Sequence, residues 1–265
     1  MQNPIRYRRA FDRYSFEKHR IDALVMESLT SSPYVADIYG FCGESVANEF
    51  GYKSGGQLVK TALSPSEKLK FATQAANGVA DLHNMTLYDN GSNDVPSRDK
   101  KRSDHLATLA HLDIKTENFI VTKENVMKVH DFNLARFLEI NTETREPCRF
   151  KRNDCNIWRS PEECSKSPTV SEKSDVYALG GVFFNILTLH RPFFYDKKTK
   201  TQGKGKFPTI PQKFTDKEKR SPPEYAVLVD AIQRIFVSKP EKRPSARTIA
   251  NFLISASQKL KSDRL

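Results

Sequence analysis

Cysteine is scarce: 265 residues hold four, at 42, 148, 155 and 164, with no Cys-x-x-Cys spacing. That excludes a disulfide-built scaffold and argues against a thiolate metal site. The four cysteines read as free thiols. Long apolar runs are missing too. The longest, Val176 to Leu189, has 14 residues, too short to cross a bilayer and suited to a buried helix. The opening MQNPIRYRRAFDRYSFEKHR has no apolar stretch of the kind that heads a secretory signal, so a cytoplasmic chain, or the cytosolic part of a longer one, is expected. No internal repeat is present. Acidic residues are in deficit, 32 against 43 basic, for a net charge of +11.

The basic excess sits in two segments, residues 1–20 and 197–220, and the rest of the chain is balanced. A nucleic-acid-binding protein is one reading of such a chain. However, Lys197–Lys206, KKTKTQGKGK, carries no interleaved aromatic residue for base stacking and no helical period. It reads as a solvated loop, which argues against a nucleic-acid partner.

Apolar residues make up 38% of the chain, enough for a core. Residues 13–29 keep a helical period that ends at Ser31-Ser32-Pro33. Residues 34–41 and 45–52 read as two strands about a turn at Cys42-Gly43-Glu44. Lys53-Ser54-Gly55-Gly56 reads as a linker. Ser64-Pro65-Ser66-Glu67 is a helix start, with a Ser cap, Pro in the first turn and Glu three residues on. That helix is expected to reach about His83. Residues 85–104 are polar and read as an insertion, and the chain beyond Gly180 is mainly helical.

The stretch Leu109–Phe137, LAHLDIKTENFIVTKENVMKVHDFNLARF, carries chemistry. Phe119–Val121 and Val126–Val129 read as strands joined by a turn at 122–125. Such a hairpin should bring Asn118 and Asp131 face to face at its open end. An amide and a carboxylate are hard oxygen ligands suited to Mg²⁺ shared with nucleotide phosphates. Asp113 and Lys115 precede the first strand. A carboxylate and an amine beside such a metal fit phosphoryl transfer, with Asp113 accepting a hydroxyl proton and Lys115 holding the transferred phosphate.

These residues resemble the eukaryotic protein kinases. His111-Leu112-Asp113-Ile114-Lys115-Thr116-Glu117-Asn118 is similar to the catalytic loop H-R-D-x-x-x-x-N, and Asp131-Phe132-Asn133 to D-F-G. Ser160-Pro161-Glu162 resembles A-P-E. Asp175 to Gly180 resembles the start of the family's buried central helix, and Arg243 resembles the late arginine that pairs with the Glu of A-P-E, here Glu162. Lys115, two residues after Asp113, follows the serine/threonine pattern. The resemblance covers about residues 14–258.

The resemblance implies an α+β, two-lobed kinase-like fold. Residues 1–53 would form a partial small lobe, and residues 54–265 the large helical lobe. It implies a serine/threonine kinase using ATP and Mg²⁺ on a protein substrate, with Asp113 and Lys115 catalytic and Asn118 and Asp131 holding metal and nucleotide. It implies an activation segment from Asp131 to Glu162; Cys148 and Cys155 lie within it and could pair under oxidation, but free thiols are the expected state. The chain also departs from the pattern. No glycine precedes Gly40, so the Gly-rich loop and strand Lys are not recognisable and an N-terminally truncated chain is expected. Asp22, Glu17 and Arg20 are candidates for the helix position that faces that Lys. Leu112 replaces an arginine, Asn133 a glycine, and Cys155 stands where a threonine is usual. A non-catalytic, pseudokinase-type module is the alternative.

Overall fold

A computed structural model describes residues 12–42, 45–85, 107–138, 150–151, 154–196, 206–216 and 221–264. Most of the polar stretch after Met85, Cys148 and most of the Lys-rich loop lie outside them.

The carboxylate of Asp12 accepts the N–H groups of Tyr14 and Ser15 and so caps helix α1, Arg13–Ser28. Its buried side, Ala23, Val25 and Met26, faces the core, and Asp22 is buried with them. Strands β1, Ile38–Cys42, and β2, Ser45–Asn48, pair antiparallel. Both are shorter than the alternation suggested, because the chain on either side pairs elsewhere. Tyr34 and Ala36 exchange backbone bonds with Val129. Lys53–Ser54 forms β3 against Val121 and Ile120. The expected linker at 53–56 is therefore structured. Ser54 and Gln57 make a capping box that starts the short helix α2, Gly55–Leu58. Glycine is required at 55 by close approach, since a Cβ there would lie 2.3 Å from the carbonyl oxygen of Thr116.

Helix α3 runs Pro65–His83 with the anticipated Ser64–Glu67 capping box. Strand β4, Leu109–Ala110, later pairs with β7, Arg136–Phe137. Between them lies the hairpin of β5, Phe119–Val121, and β6, Met127–Val129, which completes a sheet in the order β3-β5-β6.

Helix α4, Glu172–Thr188, is buried at every residue from Ser174 to Thr188, as the apolar run predicts. It packs against α3 and against α6, Pro223–Ile235, while α7, Ala246–Ser262, covers α3. The short α5, Gln212–Thr215, lies against α6. One apolar core links α1, the hairpin and these helices. Among the described residues no helix is long and apolar enough to cross a membrane.

Candidate active site

The loop His111–Asn118 is mounted on the N-terminus of α4. Asp175 is 1% exposed and its carboxylate accepts the backbone N–H groups of His111 and Leu112, both at 2.7 Å. Its Oδ2 also meets Nε2 of His83 at 3.0 Å. A carboxylate in the first turn of a helix gains from the macrodipole. Here it also holds Leu112 in a left-handed conformation, φ 62°, that a leucine avoids unless the surroundings impose it. A second tie runs from Thr116 Oγ1 to Asn185 Oδ1 at 2.7 Å.

This anchoring gathers three of the four expected site residues. Asp113 Oδ2 accepts from Lys115 Nζ at 2.5 Å and from Asn118 Nδ2 at 2.9 Å. Asn118 Nδ2 also donates to the Asp113 carbonyl. Arg159, which the sequence reading did not single out, donates through one terminal nitrogen to Asp113 Oδ1 and through the other to the Leu112 carbonyl, both at 2.8 Å. Three of the carboxylate's four lone-pair positions are thereby filled, which leaves one on Oδ1 for a further donor. Burial pushes the Asp113 carboxyl up, but the hydrogen bonds and charges of Lys115 and Arg159 outweigh it and hold the group below the usual carboxylate range.

Among the described residues no hydrogen bond joins Asp131 to this cluster. The hairpin register pairs Phe119 with Val129 and joins His130 N–H to the Asn118 carbonyl at 3.1 Å. Asn118 therefore faces His130, and Asp131 lies one residue beyond, correcting the expected face-to-face pair. The cause is the turn. Asn125 adopts a left-handed φ of 60° and closes on Thr122, which shifts the centre of the hairpin by half a residue. Asp131 is itself left-handed, φ 67°, and among the described residues its carboxylate has no hydrogen-bond or ion-pair partner. The next residue, Phe132, is buried, and its N–H goes to Asp22 Oδ1 at 2.6 Å. Asp22 thus emerges as the acid of α1 that reaches the site; burial raises its pKa.

Oxygen chemistry fits a magnesium ion here. Asn118 spends its amide nitrogen on Asp113, leaving its Oδ1 as a ligand, and Asp131 offers an uncommitted carboxylate. Among the described residues no group of three His, Cys, Asp or Glu side chains could hold a metal alone, so the remaining ligands would come from phosphates and water. A cavity of about 440 Å³ is lined by Phe50, Gly51, Ile120 and by Glu117 and His130, the chain neighbours of Asn118 and Asp131. Its size suits a small ligand. Burial lowers the His130 pKa, which favours a neutral ring on that wall.

The segment 154–164 is fixed by two acids. Glu162 receives Arg243 in a two-pronged pair at 2.6 and 2.7 Å. Glu163 accepts the N–H and hydroxyl of Ser160, both at 2.8 Å. A disulfide joins Cys155 to Cys164. Both cysteines therefore depart from the free-thiol expectation, and Cys155 has a different partner from Cys148. The reason is local: the chain folds back through a turn in which Cys164 N–H meets the Ser160 carbonyl, bringing the two cysteines together.

A model described as the protein kinase domain matches residues 104–253. The chain belongs to the protein kinase family. This kinase chain is 33% identical to the human serine/threonine-protein kinase Nek2 over 153 residues, 56% of this chain and 31% of that protein. It is 29% identical to mouse Nek1 over 149 residues, 55% of this chain and 11% of that protein. It is 24% identical to the serine/threonine-protein kinase CTR1 of Arabidopsis thaliana over 245 residues, 89% of this chain and 25% of that protein. Its likeness is thus to the serine/threonine branch, and it spans less than a third of the length of these relatives.

Proposed function

We propose that the chain is a serine/threonine protein kinase that transfers the γ-phosphoryl group of ATP to a protein hydroxyl. In this reading it is a cytoplasmic chain divided near residue 53 into a small lobe and a large one. The observation that carries the reading is Asp113: a buried carboxylate, held on both oxygens, with one lone pair left on Oδ1. A serine or threonine hydroxyl placed there donates its hydrogen to Asp113 as its oxygen attacks the γ-phosphorus, and the bond to the ADP oxygen breaks. Lys115 Nζ, on the other side of the carboxylate, meets the negative oxygens of the group in transit. Asn118 and Asp131 would hold magnesium, which would supply positive charge against the phosphates. The test is incubation with millimolar Mg·ATP and a mixed protein substrate, with phosphoserine and phosphothreonine as the readout. Incorporation that Asp113→Asn abolishes supports the reading, and incorporation that survives it refutes it.

A second reading, a pseudokinase-type interaction module, is favoured by Leu112 and by Asn133. It predicts a folded chain that transfers no phosphate.

A further inference from the structure

Arg159 is buried, with 3% exposure, and it is bracketed by acids. Its Nε and one terminal nitrogen reach Asp154 Oδ2 at 3.3 and 3.0 Å, and Nε lies 3.9 Å from Glu163 Oε1. Two further donors go to Asp113 Oδ1 and the Leu112 carbonyl. Trp158, beside it, is buried against Gly181 of α4. The two bridged cysteines each follow one of the bracketing acids: Cys155 follows Asp154, and Cys164 follows Glu163. The bridge therefore ties together the backbone of both groups that orient the guanidinium. Glu163 is buried and bonded twice to Ser160, and the Asp154 side chain, about half exposed, also accepts from Asn156 Nδ2 at 3.4 Å. Cys155 is also exposed, within reach of a thiol reductant.

We propose that Arg159 is a positioning residue for Asp113 and that the Cys155–Cys164 bridge is its mount, so that reducing the bridge loosens the hold on the catalytic carboxylate. The inference rests on the kinase reading. The step is thiol–disulfide exchange with a low-molecular-weight disulfide such as oxidised glutathione. One cysteine thiolate attacks a glutathione sulfur and releases glutathione thiolate. The second cysteine thiolate attacks the resulting mixed disulfide and releases the other glutathione. Two electrons pass to the glutathione disulfide and the two thiol protons leave. Reduction runs the same exchange backwards. Arginine suits the mount because its planar fork can face two carboxylates and a carbonyl at once, which a lysine cannot.

The test compares wild type, Arg159→Gln, Arg159→Lys and Cys155→Ser on residues 1–265, each equilibrated in oxidised or reduced glutathione buffer. Thiol alkylation and mass spectrometry report the bridge. Phosphate transfer at varied Mg·ATP separates kcat from KM. Amide hydrogen exchange of the 111–118 loop reports the hold itself. Arg159→Gln should lower kcat on the order of 10–100-fold with the KM for Mg·ATP kept, and Arg159→Lys should recover part of the loss. Reduction and Cys155→Ser should lower kcat and speed loop exchange in an otherwise wild-type chain, and reduction should change neither in Arg159→Gln. A chain that forms no Cys155–Cys164 bridge in oxidised glutathione overturns the proposal. So does Arg159→Gln with wild-type kcat and exchange, or a reduction effect equally large in that variant. If no form transfers phosphate, the kinase reading fails, and loop exchange alone decides whether the bridge acts through Arg159.

Discussion

Asp22 on α1 accepts the backbone N–H of Phe132, 110 residues away, at 2.6 Å. With the backbone bonds of Tyr34 and Ala36 to Val129, this hydrogen bond joins the N-terminal part to the strand end that leads to Asp131. Asp22→Ala leaves that buried N–H without its acceptor, at a cost of about 1–3 kcal/mol. The melting temperature should fall by several degrees. Asp22→Asn keeps an acceptor and removes a charge that burial disfavours, so it should lie closer to wild type. Equal loss in both variants would show that the carboxylate's charge, not the hydrogen bond, is what the fold needs.

Arg243 places all five donors: two on Glu162, and one each on the carbonyls of Val237, Lys173 and Ser238. Its side chain is fully buried and stacks over the Tyr177 ring. Removing one partner of a buried pair leaves an uncompensated charge and costs roughly 3–5 kcal/mol. Arg243→Ala should therefore destabilise the helical part strongly in a denaturant melt, and Arg243→Lys should rescue little because lysine cannot reproduce the fork. An unchanged midpoint for Arg243→Ala would remove the pair from the account.

The features legible in the sequence were local ones. Ser64-Pro65-Ser66-Glu67 gives the start of α3 because a capping box is written within four residues. The run from Val176 gives the buried α4 because burial on all sides needs no period. His111, Asp113, Lys115, Asn118 and Asp131 lie close together in the chain, and a resemblance could find them. Arg159 and Asp175 escaped in their site roles because their partners lie 46 and 64 residues away, across folds that no periodicity encodes. The bridge partner of Cys155 escaped for a nearer reason: spacing alone favours Cys148 and Cys164 almost equally, and only the turn at Ser160 chooses. The register at Asp131 is not legible in the sequence because the left-handed Asn125 moves the centre of the turn, which strand pattern alone does not show.

Asp113→Asn keeps the shape of the side chain and removes its ability to take a proton. Turnover should drop by about 10²–10⁴, with the KM for Mg·ATP nearly kept because Asp113 is not a metal ligand in this arrangement. A variant that retained more than about a tenth of the activity would show that the proton leaves by another route.

Glu163 makes the stability of the chain depend on pH. Burial raises its pKa to about 7 despite the bonds from Ser160 and the charge of Arg159. Between the unfolded value of 4.5 and about 7 the native chain holds a proton that the unfolded chain has released. Raising the pH strips that proton into a site that disfavours the charge, so stability falls from about pH 5 to pH 8, by up to about 3 kcal/mol. Glu163→Gln fixes the neutral form and keeps an acceptor for Ser160, so its melting temperature should change less over that range. Asp22, also raised, contributes with the same sign and remains in the variant, so the quantity to measure is the difference between the two pH profiles. Parallel profiles would show that Glu163 is not the titrating group.

Nucleotide binding should be weak in this chain as it stands. On the proposed reading Asn118 and Asp131 would hold the metal, but no glycine precedes Gly40, so residues 1–39 offer no Gly-rich backbone cradle to the phosphates. Charge-assisted hydrogen bonds contribute about 1.5–3 kcal/mol each. Forgoing two or three of them turns a micromolar site into one of about millimolar affinity. At about 1 mM Mg·ATP such a site stabilises the fold by RT ln 2, or about 0.4 kcal/mol. Residues 1–265 should therefore show a thermal shift of at most about a degree, and ADP should do no better. A shift of several degrees that requires Mg²⁺ and disappears in Asp131→Ala would overturn this. It would mean that the cavity walled by Phe50 and His130, together with the two oxygen ligands, supplies the binding that a phosphate cradle ordinarily provides.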